Sequence, residues 1–168
     1  LDKLIHSKYL HNNIIMLGYR EDVNKLMEDK KANLILTDPP YGVSFCSSAG
    51  LKIQNDSLKN EDFYNFLLKA FKNMVTHVEA GASGYIFHAD TEGFRTAFVD
   101  AGFHLAGCCI WKKDSLVLGR SDYQWQHEPV LYGFLKNGKH NWYSDRKQTT
   151  IWEFAKPKRS ENHPTSKP

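Results

Sequence analysis

Two adjacent prolines stand directly after a short apolar run, in Leu34-Ile35-Leu36-Thr37-Asp38-Pro39-Pro40-Tyr41-Gly42. Each proline fixes its own φ and pushes the residue before it into an extended conformation, so no helix can pass through this point. A strand over about 33–37 therefore ends here. It delivers a carboxylate, a carbonyl of set direction and an aromatic ring at its carboxyl end. Open α/β sheets bind their ligands at that end of their strands. Neither proline carries an N–H that could compete for an acceptor. The competing reading is an ordinary strand-ending turn, because Asp-Pro and Pro-Tyr-Gly are common turn sequences.

A chemistry that needs such groups is methyl transfer to an exocyclic amine. The amino nitrogen of adenine or cytosine is a poor nucleophile, since its lone pair is delocalised into the ring. One acceptor on each N–H would draw the nitrogen towards tetrahedral geometry and free that pair. The Asp38 carboxylate and the Pro39 carbonyl are spaced for this task. They would act as fixed dipoles that meet the positive charge developing on nitrogen. Tyr41 would stack on the base, a contact worth about 1–3 kcal/mol in single-strand binders. A base has to leave its duplex stack to be reached in this way. Through Asp38-Pro39-Pro40-Tyr41 and the Gly42 that follows, the chain resembles the amino-methylating DNA methyltransferases that use S-adenosylmethionine. The form looks like their adenine-specific branch, since the cytosine-specific branch usually carries Ser in place of Asp38.

A length of 168 residues fits one domain with a real core. No apolar run is long enough to span a bilayer, and residues 1–6 lack the basic-then-apolar layout of a signal peptide. A net charge of +3 says little about partners. Cys46 and the neighbours Cys108 and Cys109 make no disulfide framework, and the histidines form no ligand-spaced cluster with them. The expectations are free thiols, no metal, no membrane and a cytoplasmic location.

Along the chain, residues 1–13 lead in as a loop or short helix, 14–17 is a short strand, and a helix covers about 20–30. Residues 43–60 lack a period and read as a long loop that folds over a substrate or has no role. Asn60 opens the most regular helix, with Phe63, Phe66, Leu67, Ala70, Phe71, Met74, Val75 and Val78 as its core-packing stripe. Gly81-Ala82-Ser83-Gly84 breaks it, and Tyr85-Ile86-Phe87 is a buried strand ending at His88-Ala89-Asp90. Asp90 caps a helix over about 91–101, which Gly102 stops. A strand over 103–111 ends at Trp111, a polar loop spans 114–127, and 128–135 is the last strand. That loop leaves no room for a crossover helix, so the two strands are antiparallel. Basic, amide and aromatic side chains interleaved over 114–127 suit a nucleic-acid surface, and also a core edge. The tail from 136 is basic. Lys112, Arg120, Lys158 and Arg159 are the candidate contacts to DNA.

Three later stretches are similar to the same family and come in its order. They are Ile110-Trp111-Lys112-Lys113 with Gln126-His127-Glu128-Pro129, then Thr150-Ile151-Trp152-Glu153, then His163-Pro164-Thr165-Ser166-Lys167-Pro168. The resemblance implies an α/β, partial Rossmann-like methyltransferase fold: a mixed, mostly parallel sheet with a C-terminal antiparallel strand and helices on both faces. It implies a single partial catalytic domain over 1–168, with a basic tail, 136–168, packing near the cofactor site. Asp38, Pro39, Pro40 and Tyr41 would be catalytic. Asp38, His163, Thr165 and Lys167 would line the methionine end of S-adenosylmethionine.

The Gly-rich loop that holds the cofactor's adenosine in this family, and that follows such a tail in its beta arrangement, is not in the sequence. The expectation is that the chain alone binds S-adenosylmethionine weakly or not at all and methylates DNA poorly. Strand 33–37 would then have an open edge, suited to self-association or to a complementing fragment. The function expected is amino-methylation of adenine in DNA. The alternatives are the cytosine branch, which Asp38 disfavours, and a non-catalytic DNA-binding remnant. Residues 43–60, 114–127 and 136–149 are the candidate target-recognition segments.

Overall fold

Leu34-Ile35-Leu36 does form a strand. A computed structural model describes residues 27, 29–44, 46, 50, 55–89 and 93–155, and in it β1 runs Ala32–Thr37. It is followed by α1 (Asn60–Val75), β2 (Val78–Phe87), α2 (Phe94–Asp100), β3 (Phe103–Val117), β4 (Trp125–Leu135) and β5 (Ile151–Glu153). The strands form one five-stranded sheet in the order β1-β2-β4-β3-β5. β1 and β2 are parallel, β4 is antiparallel to both β2 and β3, and β5 is parallel to β3. All but β4 thus share one direction, which is the mixed, mostly parallel α/β arrangement expected. The expected strand 14–17 lies outside the described residues, as does most of the helix 20–30. Met27 is helical and packs on the core.

The core forms where α1 and α2 meet one face of the sheet. α1 turns Phe63, Leu67, Phe71 and Met74 inward, the spacing of one helical stripe. α2 adds Phe94, Ala97 and Phe98. Phe71 meets Phe98 edge-on at 6.5 Å, and Phe98 stacks on Phe103 at 4.3 Å with planes 8° apart. Ile35, Ile86, Leu131 and Leu135 complete the cluster from the strands. Burying one side chain of this size contributes about 1.5–3 kcal/mol. The opposite face carries Tyr85, stacked on Tyr132 at 4.9 Å and tilted against Trp152 at 5.9 Å. Helices were expected on both faces; the two described in full share the first.

Several boundaries differ from expectation, for physical reasons. Residues 81–84 do not interrupt the chain but lie within β2. Gly84 is the cross-strand partner of Gly133, and the pair is the floor under the aromatic stack. A Cβ on Gly133 would stand 2.7 Å from the Phe98 ring, and one on Gly84 2.9 Å from that of Phe103. The small residues admit the rings rather than making a turn. Lys59, not Asn60, occupies the N-cap of α1, and Gly93 rather than Asp90 that of α2, both without a side-chain cap bond.

The strand expected to end at Trp111 continues to Val117, and its partner starts at Trp125. Most of the polar 114–127 is therefore hairpin, because ladder hydrogen bonds need no apolar side chains. β4 is not the last strand, since β5 pairs with β3 over Ile110, Trp111 and Lys112. β3 runs with β1, so the hairpin leaves the sheet at the end that carries Asp38. Its tip is held by Gln124, which accepts from the Gly119 N–H and donates to the Ser121 carbonyl, each at 2.6 Å. Leu118 and Tyr123 there are 85% and 91% exposed. Among the described residues no helix is long and apolar enough to cross a membrane.

Candidate active site

Past Thr37 the chain turns at the sheet's rim. Asp38 is exposed, while Pro39, Pro40 and Tyr41 are half-buried. Asp56 fixes the turn. Its Oδ1 accepts the N–H groups of Tyr41 and Gly42, each at 2.8 Å, with Val43 more distant at 3.4 Å. Its own carbonyl accepts the Ser44 N–H at 2.7 Å. Asp56 is only 1% exposed, and a buried carboxylate is tolerated where donors meet it this way. Gly42 supplies a φ of +71°, with the Phe63 ring 3.2 Å from where a Cβ would be. The Lys59 ammonium donates to the Gly42 carbonyl.

Tyr41 crosses the top of the sheet. Its hydroxyl lies 2.8 Å from Asp38 Oδ1 and 3.0 Å from Glu128 Oε2, and its ring meets Phe94 edge-on at 6.2 Å. Burial, and then the Asp38 charge beside it, push the phenol's pKa far above its ordinary range. Glu128 Oε1 is 2.6 Å from Lys113 Nζ, and these side chains are only 17% and 10% exposed. The Lys113 ammonium also stands 5.2 Å from the centre of the Trp111 ring. Burial draws its pKa down, and the charge of Asp38 works against that shift. Asp38, Tyr41, Glu128 and Lys113 are thus one connected polar network, with β1's end on one side and the hairpin's base on the other.

Of the residues singled out by sequence, Asp38, Pro39, Pro40 and Tyr41 come together at the rim. Lys112 points elsewhere: it pairs with Glu153 at 2.6 Å on the exposed surface. Arg120 is exposed at the hairpin tip. Lys158, Arg159, His163, Thr165 and Lys167 lie outside the described residues. Ile151–Glu153 forms the edge of the sheet opposite β1. His88, at the end of β2, is 3% exposed, holds the Ala89 carbonyl through Nδ1 at 2.6 Å and leans on Phe94.

Sequence reasoning gave no role to Asp56, Glu128 or Lys113. Nothing local marks Asp56 within its aperiodic segment. Lys113 and Glu128 stand in the family-like stretches, and a two-residue step along a strand is the signal that sets Lys113 beside Trp111.

A family model described as DNA methylase matches residues 32–168. Among solved structures, the chain is similar to the M1.HpyAVI–SAM complex, with 19% identity, 93% of this chain and 71% of that chain covered, and a TM-score of 0.61. It is also similar to a crystal structure of M1.HpyAVI, at 17% identity, 82% and 64% coverage and a TM-score of 0.53. At these identities the likeness is one of fold. No curated protein matches the chain.

Proposed function

The chain belongs to the N6/N4 DNA methylase family, and on that premise we propose that it methylates the exocyclic amine of adenine in DNA, with S-adenosylmethionine as donor. The observation that carries this reading is an exposed carboxylate at the end of β1 whose following turn is clamped from behind by Asp56. The Asp38 carboxylate accepts one N–H of the amine and the Pro39 carbonyl accepts the other. Tyr41 stacks on the base. The turn's N–H groups are already bonded to Asp56, so the acceptors are set before the base arrives and little reorganisation remains. A carboxylate at position 38, where the cytosine branch usually has serine, supports adenine.

The donor's sulfonium is cationic, and the rim offers it an exposed carboxylate, so the charges fit. Bound there, S-adenosylmethionine supplies the methyl group. His163, Thr165 and Lys167, in the basic tail 136–168, are the residues proposed to hold its methionine end. Arg120 at the hairpin tip and Lys112 at its base, with Lys158 and Arg159, are the proposed phosphate contacts. Lys112 can leave Glu153 cheaply, because an exposed ion pair is worth about 0–1 kcal/mol.

DNA incubated with S-adenosylmethionine and the chain extended by a cofactor Gly-rich loop, then digested to nucleosides, is expected to contain N6-methyladenine, and DNA incubated with the chain alone little of it. N4-methylcytosine would place the chain in the other branch, and DNA carrying neither base would overturn the proposal. β1 is also an edge of the described sheet, with Leu36 41% exposed. A second copy or a complementing fragment is proposed to pair there. Light scattering across a wide concentration range is expected to show association. A strict monomer that captures no fragment would remove this part.

A further inference from the structure

We infer that Glu128 is a positioning residue, which takes the Tyr41 hydroxyl away from Asp38 when a target amine claims that carboxylate. The inference rests on the reading that Asp38 receives the amine. The Tyr41 oxygen stands 2.8 Å from Asp38 Oδ1 and 3.0 Å from Glu128 Oε2. A phenol has one hydrogen, so it donates to one of these carboxylates at a time. While it donates to Asp38, it takes one of the carboxylate's lone pairs, on Oδ1, and weakens that oxygen as an acceptor for the amine. Turned to Glu128, it gives that one lone pair of Asp38 Oδ1 back to the substrate. Both oxygens are already in range, so the exchange is a rotation of one hydrogen about the C–O bond. The ring stays where the base is to stack.

Glu128 is equipped to be this second acceptor. Its other oxygen is 2.6 Å from the Lys113 ammonium, in a setting where both side chains are largely shielded from water. The ammonium supplies the opposite charge there, where either charge alone would be costly. The pair sits at the base of the hairpin, on strands remote in sequence from the proline motif. Its reach to Tyr41 ties that hairpin to the chemistry.

The test uses the 168-residue chain and needs no cofactor. Two single-stranded oligonucleotides differ at one position, where one has adenine and the other purine, which lacks the amino group. The ratio of their affinities reads the amine contact. The unaltered chain is expected to prefer adenine about tenfold, the worth of about one hydrogen bond to a charged acceptor. Glu128→Ala is expected to lose most of that preference. Adding Tyr41→Phe to Glu128→Ala is expected to bring the ratio back to that of Tyr41→Phe alone, because no hydroxyl is left to compete. A merely structural role would cost the same in both backgrounds.

If Glu128→Ala unfolds the chain by stranding Lys113, Glu128→Gln keeps an oxygen acceptor without the charge. A smaller loss is then expected, again relieved by Tyr41→Phe. An unaltered chain indifferent to the amino group would sink the amine-site reading and this inference with it. A clear preference that survives loss of Glu128, or a loss that Tyr41→Phe does not relieve, would overturn the inference alone.

Discussion

Asp38→Ala is expected to abolish the preference for adenine over purine and, in the chain extended by a cofactor Gly-rich loop, to lower methyl transfer about 10²–10³-fold, the loss typical when one preorganised group is removed from a polar transition state. The side chain is exposed, and no apolar packing is lost with it. The thermal midpoint should therefore stay close to that of the unaltered chain, and the Tyr41 hydroxyl should turn wholly to Glu128. Asp38→Asn keeps an oxygen acceptor but not its charge, and its loss should fall between the two. Methyl incorporation into DNA and the affinity ratio provide independent readouts. If both stay at their original values in a folded Asp38→Ala protein, the reacting amine is held elsewhere.

Asp56→Ala should act on fold and site together. The residue is sealed from water, and its Oδ1 is the acceptor for two backbone N–H groups at 2.8 Å. A buried donor left without a partner costs about 1–3 kcal/mol; the Gly42 N–H is such a donor, and the part-buried Tyr41 N–H adds less. Whole domains are stable by only about 5–15 kcal/mol. The turn at 41–43 is therefore expected to open, with a large drop in the denaturation midpoint and loss of amide exchange protection at Tyr41 and Gly42. Amine preference should go with it, because Asp38 and Pro39 lose their fixed directions. Asp56→Asn retains an oxygen in the same place and should be milder. Unchanged protection at Tyr41 and Gly42 in Asp56→Ala would show that the turn holds itself.

What the sequence discloses here depends on how far each interaction reaches. Pro39 and Pro40 act on their immediate neighbours, so the strand end and its carboxylate are legible without any structure. The stripe Phe63, Leu67, Phe71 and Met74 is periodic, so α1 is legible too. The antiparallel pairing of β3 with β4 follows from a connection too short for a helix. Asp56 is different: it acts on Tyr41 from 15 residues away, through a segment with no period. Glu128 acts on Tyr41 from 87 residues away, and only the sheet brings them together. Gly84, opposite Gly133 in the sheet, resembles part of a turn signal in isolation. Its meaning appears only once Phe98 and Phe103 are seen lying on it.

The hairpin divides labour along its own length. Its root, with Lys113 and Glu128, is locked into the carboxylate network and tolerates little change. Its crest, with Leu118, Arg120 and Tyr123, lies at the same end of the sheet and has no such obligation. On the proposed function, DNA reaching Asp38 at that end of the sheet comes to the end where the crest stands. Drift in loop length or side chains up there can therefore remodel which surfaces are admitted, generation after generation, while the reacting oxygens below keep their places.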